Sequence, residues 1–557
     1  MAQNNDHKIA SLLIPKEMNK IPLAICLLGG FCWMSFSRET PEPPQPNIIW
    51  LNIEDLSPHL GCYGDSTVPT PNIDRLAREG VRYTQVFTTA GVCSPSRNAI
   101  ATGRIQTSNG GHNMRTMGNT YPEKTGLPKE YSVVMPPDVK HFAELLREKG
   151  YYTVNNAKTD YQFEEPPTVW DESGAKADYL KRKPNQPFFA MLNCYFTHES
   201  QVWENAKKPL RVNPSKVKIP PYYPDTDSVR LDVARFYSNI SLMDDWVGKQ
   251  IKRLEDNNLL NNTIVMFWTD HGDGLPFVKR EIYDRGLRVP FIIRYPHKKE
   301  AGTTDNQLIS AIDWAPTVLS LANIPTPKYM QGKAFLGKFK RKIPNKYIFA
   351  ARDRLDSEYD RVRAVSDGRY EYIYNFFPEK PLYMDIAFRK KQASMREILR
   401  LRDEGKLNPI QMKWFAKTKP QEEFYDLQTD PFQLNNLTLN GLYADKLAEF
   451  RKVFKQWQKD VKDYGIIPEK EMVKQMWNGA DAAPTTLNPE IVISNGFASI
   501  GCKTEGASIG YQKIEENIPE PTKWEVYKKP VAINKNEKIK SVAMRIGYKK
   551  SDIVVGE

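Results

Sequence analysis

Four short runs of almost unbroken apolar residues constrain this 557-residue chain more than any other feature of it. They are 47–52 (NIIWLN), 188–196 (FFAMLNCYF), 263–268 (TIVMFW) and 289–294 (VPFIIR). A strand that is apolar on both sides has to be covered on both faces, which is the situation of a strand inside a parallel sheet. Helical patterns alternate with these runs. Residues 71–80 carry Thr70 as a cap, proline in the first turn and a closing Gly80, while 138–150 and 233–254 repeat apolar residues at helical spacing. This alternation predicts an α/β fold, a mostly parallel sheet sandwiched by helices.

Chemistry-bearing residues follow three of these runs directly. The first delivers Glu54 and Asp55, the second Thr197-His198-Glu199, and the third Asp270-His271-Gly272. In open α/β sheets ligands gather at the C-terminal ends of the strands, so acids arriving there from two strands form a candidate metal site. Singly, each acid would read as a turn or helix cap. Carboxylate oxygens suit calcium or magnesium, whereas the imidazole of His271 is a softer donor than calcium usually takes.

The string Cys93-Ser94-Pro95-Ser96-Arg97, continued by Asn98-Ala99-Ile100-Ala101-Thr102-Gly103-Arg104, places a cysteine at the start of a helix with an arginine one turn on. A thiol in such a place has its thiolate favoured, although cysteine is also among the most buried residue types. The whole string resembles the signature of the type I sulfatases, C-x-P-S-R followed by T-G-R. The resemblance runs over roughly residues 47–440 and implies an alkaline-phosphatase-like sheet. It further implies that Cys93 is oxidised by a formylglycine-generating maturation enzyme to formylglycine, whose hydrate attacks the sulfur of a sulfate ester.

Further site residues come from the same resemblance. Glu54, Asp55, Asp270 and His271, with residue 93, match the ligands of one calcium ion per chain, Glu54 standing where the family carries aspartate. Lys158 matches the lysine of a K-x-H element whose histidine is here Asp160. Lys279, four residues before Tyr283, matches the second sulfate-binding lysine, and Arg97 would steady the developing charge. His198 matches the general acid. His112 and Arg115, in Gly110-Gly111-His112-Asn113-Met114-Arg115, are expected in the substrate pocket with Asp160, and either Asp160 or His112 would be the base that releases sulfate. Two other readings share this pocket: a phosphate or phosphonate ester hydrolase of the same fold, and a glycan-binding protein without catalysis.

With 40% hydrophobic and 26% charged residues the chain is globular and long enough for at least two domains. Its formal charge of +12 comes with no nucleic-acid motif and no concentrated basic run, which favours an anionic saccharide over nucleic acid. A sulfated polysaccharide such as ulvan, carrageenan or a glycosaminoglycan is the expected substrate. Residues 1–37 read as a secretory signal around the apolar run 21–36, too short for a stable membrane span, so the mature chain is expected to be periplasmic or secreted. Of the six cysteines, Cys26 and Cys32 lie in that signal, and Cys62, Cys93, Cys194 and Cys502 are too widely spaced for a disulfide scaffold. The expected organisation is a catalytic domain over 45–345, a smaller α+β subdomain over 346–480 with a hairpin at Asp367-Gly368, and a β-sandwich-like tail module over 484–557.

Overall fold

The computed structural model describes residues 45–516 and 518–556, and residues 45–557 form one compact unit. The proposed signal lies outside the described residues. The central strand is Asn47–Ile53, flanked in parallel by Phe188–Cys194 on one side and Thr263–Thr269 on the other. From edge to edge the eight-stranded sheet runs Glu172–Ser173, Tyr152–Asn156, Phe188–Cys194, Asn47–Ile53, Thr263–Thr269, Phe291–Arg294, Val81–Tyr83 and Thr303–Asp305. Only Phe291–Arg294 runs against both its neighbours, so the mostly parallel sheet expected from the sequence is present.

The unbroken apolar runs are explained by alternation across the sheet. Ile49, Leu51 and Ile53 enter one core with Val265 and Phe267, covered by Val233, Ile240, Met243 and Val247 of the long helix Asp227–Asp256. Ile48 and Trp50 enter the opposite core with Ile264, Met266 and Trp268, covered by Phe142, Leu146, Trp314 and Val318. Trp50 meets Trp268 edge-on at 5.0 Å between ring centres.

Two helix starts differ from the sequence reading. Thr70 precedes the helix Pro71–Arg78, but its hydroxyl accepts from the Gly61 amide and donates to Asp74 instead of capping the helix. The helix expected from residue 138 begins at Phe142, where His141 Nδ1 accepts from the Ala143 amide. Residues 136–139 are held in a turn by the Val139 amide on the Pro136 carbonyl.

Beyond residue 345 the chain forms an antiparallel sheet in the order Ile348–Leu355, Glu358–Ser366, Tyr370–Asn375 and Glu422–Asp426, with the expected hairpin at Gly368. Helix Ala444–Asp460 lays Phe450, Phe454 and Trp457 on Val365, Tyr372 and Phe424 of that sheet. The C-terminal region is β-rich: three strands led by Glu490–Ser494 and four built around Ser508–Glu515 and Glu537–Met544. It closes directly onto the part that carries the eight-stranded sheet. Gly547, at φ +89°, lies so close to the backbone of Val134 that a Cβ would sit 2.3 Å from its Cα, and Ile546 belongs to the same core as Trp50.

Among the described residues no helix is long and apolar enough to cross a membrane, and Cys62, Cys93, Cys194 and Cys502 are all free thiols.

Candidate active site

Strand register assembles the site. Ile53 lies opposite Thr269 on one side and Cys194 on the other, so Glu54-Asp55, Asp270-His271 and the turn leading to His198-Glu199 leave the sheet at one edge. Helix Cys93–Thr102, with every residue buried, is aimed at that edge, and its start brings the Cys93 thiol 3.2 Å from His271 Nε2 and 3.9 Å from Asp55 Oδ1. Ser96 Oγ fastens the helix by donating to the Asp270 carbonyl at 2.7 Å.

Each of the three acids gives one oxygen to a cation. Glu54 Oε2 takes Lys158 Nζ at 2.6 Å, Asp55 Oδ2 takes Lys279 Nζ at 2.5 Å, and Asp270 Oδ2 takes Arg97 Nε at 3.0 Å. The remaining oxygens of Asp55 and Asp270 turn toward His271, and that of Glu54 lies 3.9 Å from Arg97 Nη2. Glu54 Oε1 is buried without a hydrogen-bond partner, while Asp55 Oδ1 and Asp270 Oδ1 lie 3.2 and 3.7 Å from His271 Nε2. His271 Nδ1 is engaged with the Gly272 carbonyl at 2.8 Å, which leaves Nε2 to face the acids. Two overlapping groups, Glu54 with Asp55, Cys93 and His198, and Asp55 with Cys93, Asp270 and His271, hold their ligand atoms within 4.8 Å of one another. Hard oxygen donors, one of them orphaned, fit a divalent cation.

The electrostatics follow from this packing. Burial raises the Cys93 thiol, but Lys279, Lys158 and His271 outweigh it and bring the thiol down to about 6. Burial opposes the charge on Asp55 as well, and Lys279, His271 and His198 nevertheless hold it well below the usual carboxylate range. His198 is 22% exposed at the mouth, with Nε2 3.9 Å from Glu54 Oε2. Burial and Lys279 lower it, and Asp55, Cys93 and Glu54 raise it above its ordinary value overall. Arg97 is more an organiser of acids than an open anion donor: besides Asp270 it contacts Asn193 Oδ1 at 3.3 Å, and its second Nη has no hydrogen-bond partner.

Asp160 joins the site at 3.2 Å from Lys158 Nζ, held at φ +54°. Arg115, at φ +58°, pairs with Asp356 at 2.6 Å. His112 is not brought to Cys93. It is buried beside Arg363, Asp463, Glu469 and Arg354 of the C-terminal half, and burial with those arginines pushes it down to about 4. Of the two candidate bases, Asp160 alone stands among the site's cations.

Two residues to which sequence reasoning gave no role, Glu199 and Arg280, complete the cluster. Glu199 accepts from Arg280 through both oxygens at 2.9 and 2.7 Å, touches Lys279 Nζ at 3.1 Å, and sends its backbone amide to Asp55 Oδ2 at 2.8 Å. Arg280 sits at φ +76°, a conformation that costs a side-chain-bearing residue energy and recurs at functional sites. The only sequence signal was adjacency, Glu199 following His198 and Arg280 following Lys279.

Residues 46–324 match the sulfatase family profile, and residues 272–381 match the C-terminal profile of N-sulphoglucosamine sulphohydrolase. The chain is 43% identical to an ulvan-active sulfatase of Formosa agariphila over 93% of its own length and 92% of the relative's. It belongs to the sulfatase family. As a sulfatase it is a sulfuric ester hydrolase. Its fold is also that of BT4656, solved in complex with its substrate D-glucosamine-2-N,6-O-disulfate, at 19% identity over 77% of this sulfatase and 100% of that chain with TM-score 0.55. A phosphonate monoester hydrolase of Agrobacterium radiobacter shares the fold too, at 15% identity over 75% and 96% with TM-score 0.54.

Proposed function

We propose that this sulfatase removes sulfate from an ulvan-type polysaccharide or its oligosaccharides outside the cytoplasm, with Cys93 matured to formylglycine. The observation that carries the reading is the division of labour among the acids. Each spends one oxygen on a cation, and Asp55 and Asp270 bring their other oxygens to His271 beside residue 93, so the acids proposed as metal ligands also fix Lys158, Lys279 and Arg97. The high identity to the Formosa ulvan-active sulfatase supports the substrate class.

Glu54, Asp55, Asp270 and His271, with residue 93, would hold one divalent cation, most simply calcium, which supplies charge for a sulfate oxygen. Formylglycine supplies a hydrated aldehyde oxygen as nucleophile. The chain's own residues do the rest. Lys158 and Lys279 bind and orient the sulfate. His198, whose surroundings favour its protonated form, donates a proton to the leaving sugar oxygen. Asp160, paired with Lys158, is placed to take a proton in the step that frees sulfate.

The test is sulfate release from ulvan oligosaccharides, run beside phosphate and phosphonate esters, on protein made with the maturation enzyme and examined by peptide mass spectrometry and metal analysis. Expected are loss of the thiol mass in the peptide containing Cys93, about one bound ion per chain as a single site of this kind implies, and no turnover by Cys93→Ala. Full activity with an intact cysteine, or faster turnover of the phosphorus esters, overturns the reading.

A further inference from the structure

Four side chains from three distant segments meet in one cluster. Trp203 and Phe388 are both half-buried and pack edge to face with ring centres 5.2 Å apart. Lys391 places its ammonium 4.9 Å from the Phe388 ring centre and 5.8 Å from that of Trp203, and it has no carboxylate partner among the described residues. The Arg115 guanidinium lies 5.3 Å from the Phe388 ring, with its Nε on Asp356.

Each segment is tied to the reaction centre. Trp203 lies on the short helix Ser200–Glu204, which directly follows His198 and Glu199. Phe388 precedes Arg389, whose Nη reaches the Lys279 carbonyl at 3.4 Å. Phe388 also packs on the apolar cluster of Met114 and Val92, the residues immediately before Arg115 and Cys93.

Aromatic faces carrying cations suit a ligand that is apolar on its C–H faces and anionic at its edge, which describes a uronate or sulfated pyranose. We propose that Trp203, Phe388, Arg115 and Lys391 bind the anionic sugar next in the polysaccharide to the one that loses its sulfate. Its ring packs on the aromatic pair and its carboxylate or second sulfate pairs with Lys391 and Arg115. The platform rests on the saccharide reading above and makes the enzyme selective for the neighbour of the reacting sugar. It lies outside the strand ends that hold the reactive groups, on the short helix of Trp203, the turn carrying Phe388 and Lys391 and the loop of Arg115, connecting segments of the kind that carry specificity.

Three oligosaccharide substrates carrying the same sulfated sugar test this, with a uronate, a sulfated sugar or a neutral sugar as its neighbour. Lys391→Gln, at an exposed position, is expected to raise KM about tenfold on one or both anionic-neighbour substrates relative to its effect on the neutral one, the loss of one charge-assisted contact. The arm that responds identifies the anion. Trp203→Ala should raise KM on all three, because stacking needs no charge. An equal shift for Lys391→Gln on all three substrates, or no shift on any, overturns the platform. Absence of sulfate release from all three would instead refute the saccharide reading. The platform is then tested separately by calorimetric titration of the same oligosaccharides into Cys93→Ala protein with and without Lys391→Gln, where charge-selective weakening supports it and charge-blind binding refutes it.

Discussion

Replacing Arg280 by Met tests whether the site is held together by its buried ion cluster. In the native protein both Arg280 and Glu199 are almost fully buried and joined by two hydrogen bonds of 2.9 and 2.7 Å. The Arg280 guanidinium holds the Glu199 carboxyl down at about 2 even though burial alone would raise it. Arg280→Met leaves that carboxylate buried with only Lys279, already shared with Asp55, to answer it. Removing one partner of a buried pair costs about 3–5 kcal/mol, a large part of the ~5–15 kcal/mol by which folded domains are stable. Glu199→Gln should cost a similar amount by stranding Arg280. The double variant strands neither, since Lys279 keeps Asp55, so its loss should fall short of the sum of the two single losses by about 2 kcal/mol or more. Urea unfolding of the three variants, followed by tryptophan fluorescence, gives the cycle. If the single losses simply add, the two residues do not act as a unit and this pair does not hold the site together.

His198→Ala should slow release of sulfate from a saccharide by ~100- to 10,000-fold, because a sugar alkoxide leaves poorly without a proton. It should slow hydrolysis of an activated aryl sulfate far less, and equal losses on both substrates, measured side by side, would reassign the general acid. His59 lies between Asp65 at 3.0 Å and Asp273 at 2.8 Å. Burial opposes its charge, but Asp273 and Asp65 outweigh it and push the imidazole up to about 10. Its side chain is 39% exposed, so solvent screens part of that gain. A raised histidine stabilises fully below the unfolded value near 6.5 and loses its contribution as pH climbs toward the folded value. The gap in Tm between the wild type and His59→Gln should therefore be widest near pH 6 and narrow by pH 9.5. A gap that widens with pH would refute the assignment.

The strands were legible because burial on both faces leaves a plain trace, an apolar run without polar alternation, and all four runs lie within a residue or two of the strands that form. The convergence of Glu54, Asp55, Asp270 and His271 was legible too, since parallel strands in register must deliver their next residues to one edge. Helix starts were less readable. The pattern from 138 includes apolar Val139, yet that residue is buried from a turn, and nothing in the periodicity separates the two. The surroundings of His112 were not legible, because proximity in sequence to the Cys93 helix carried the expectation, whereas the charged groups around it are Arg363, Asp463, Glu469 and Arg354. The Glu199–Arg280 pair joins residues 81 apart, and a long-range ion pair has no period by which a single sequence could announce it.

The burial of the Cys93 helix sets a timetable for making the enzyme. Cys93 is 3% exposed, and no residue from 93 to 102 reaches the surface, so another protein has no access to that thiol once the chain has folded. Ile100 and Ala101 of this helix share their core with Ile546, close to the C-terminus. That core is therefore complete only when segments far apart along the chain have packed on the helix. On the formylglycine reading proposed above, conversion of Cys93 competes with folding: a variant that folds faster would leave more chains sealed around an unconverted cysteine, stable and correctly shaped but inert.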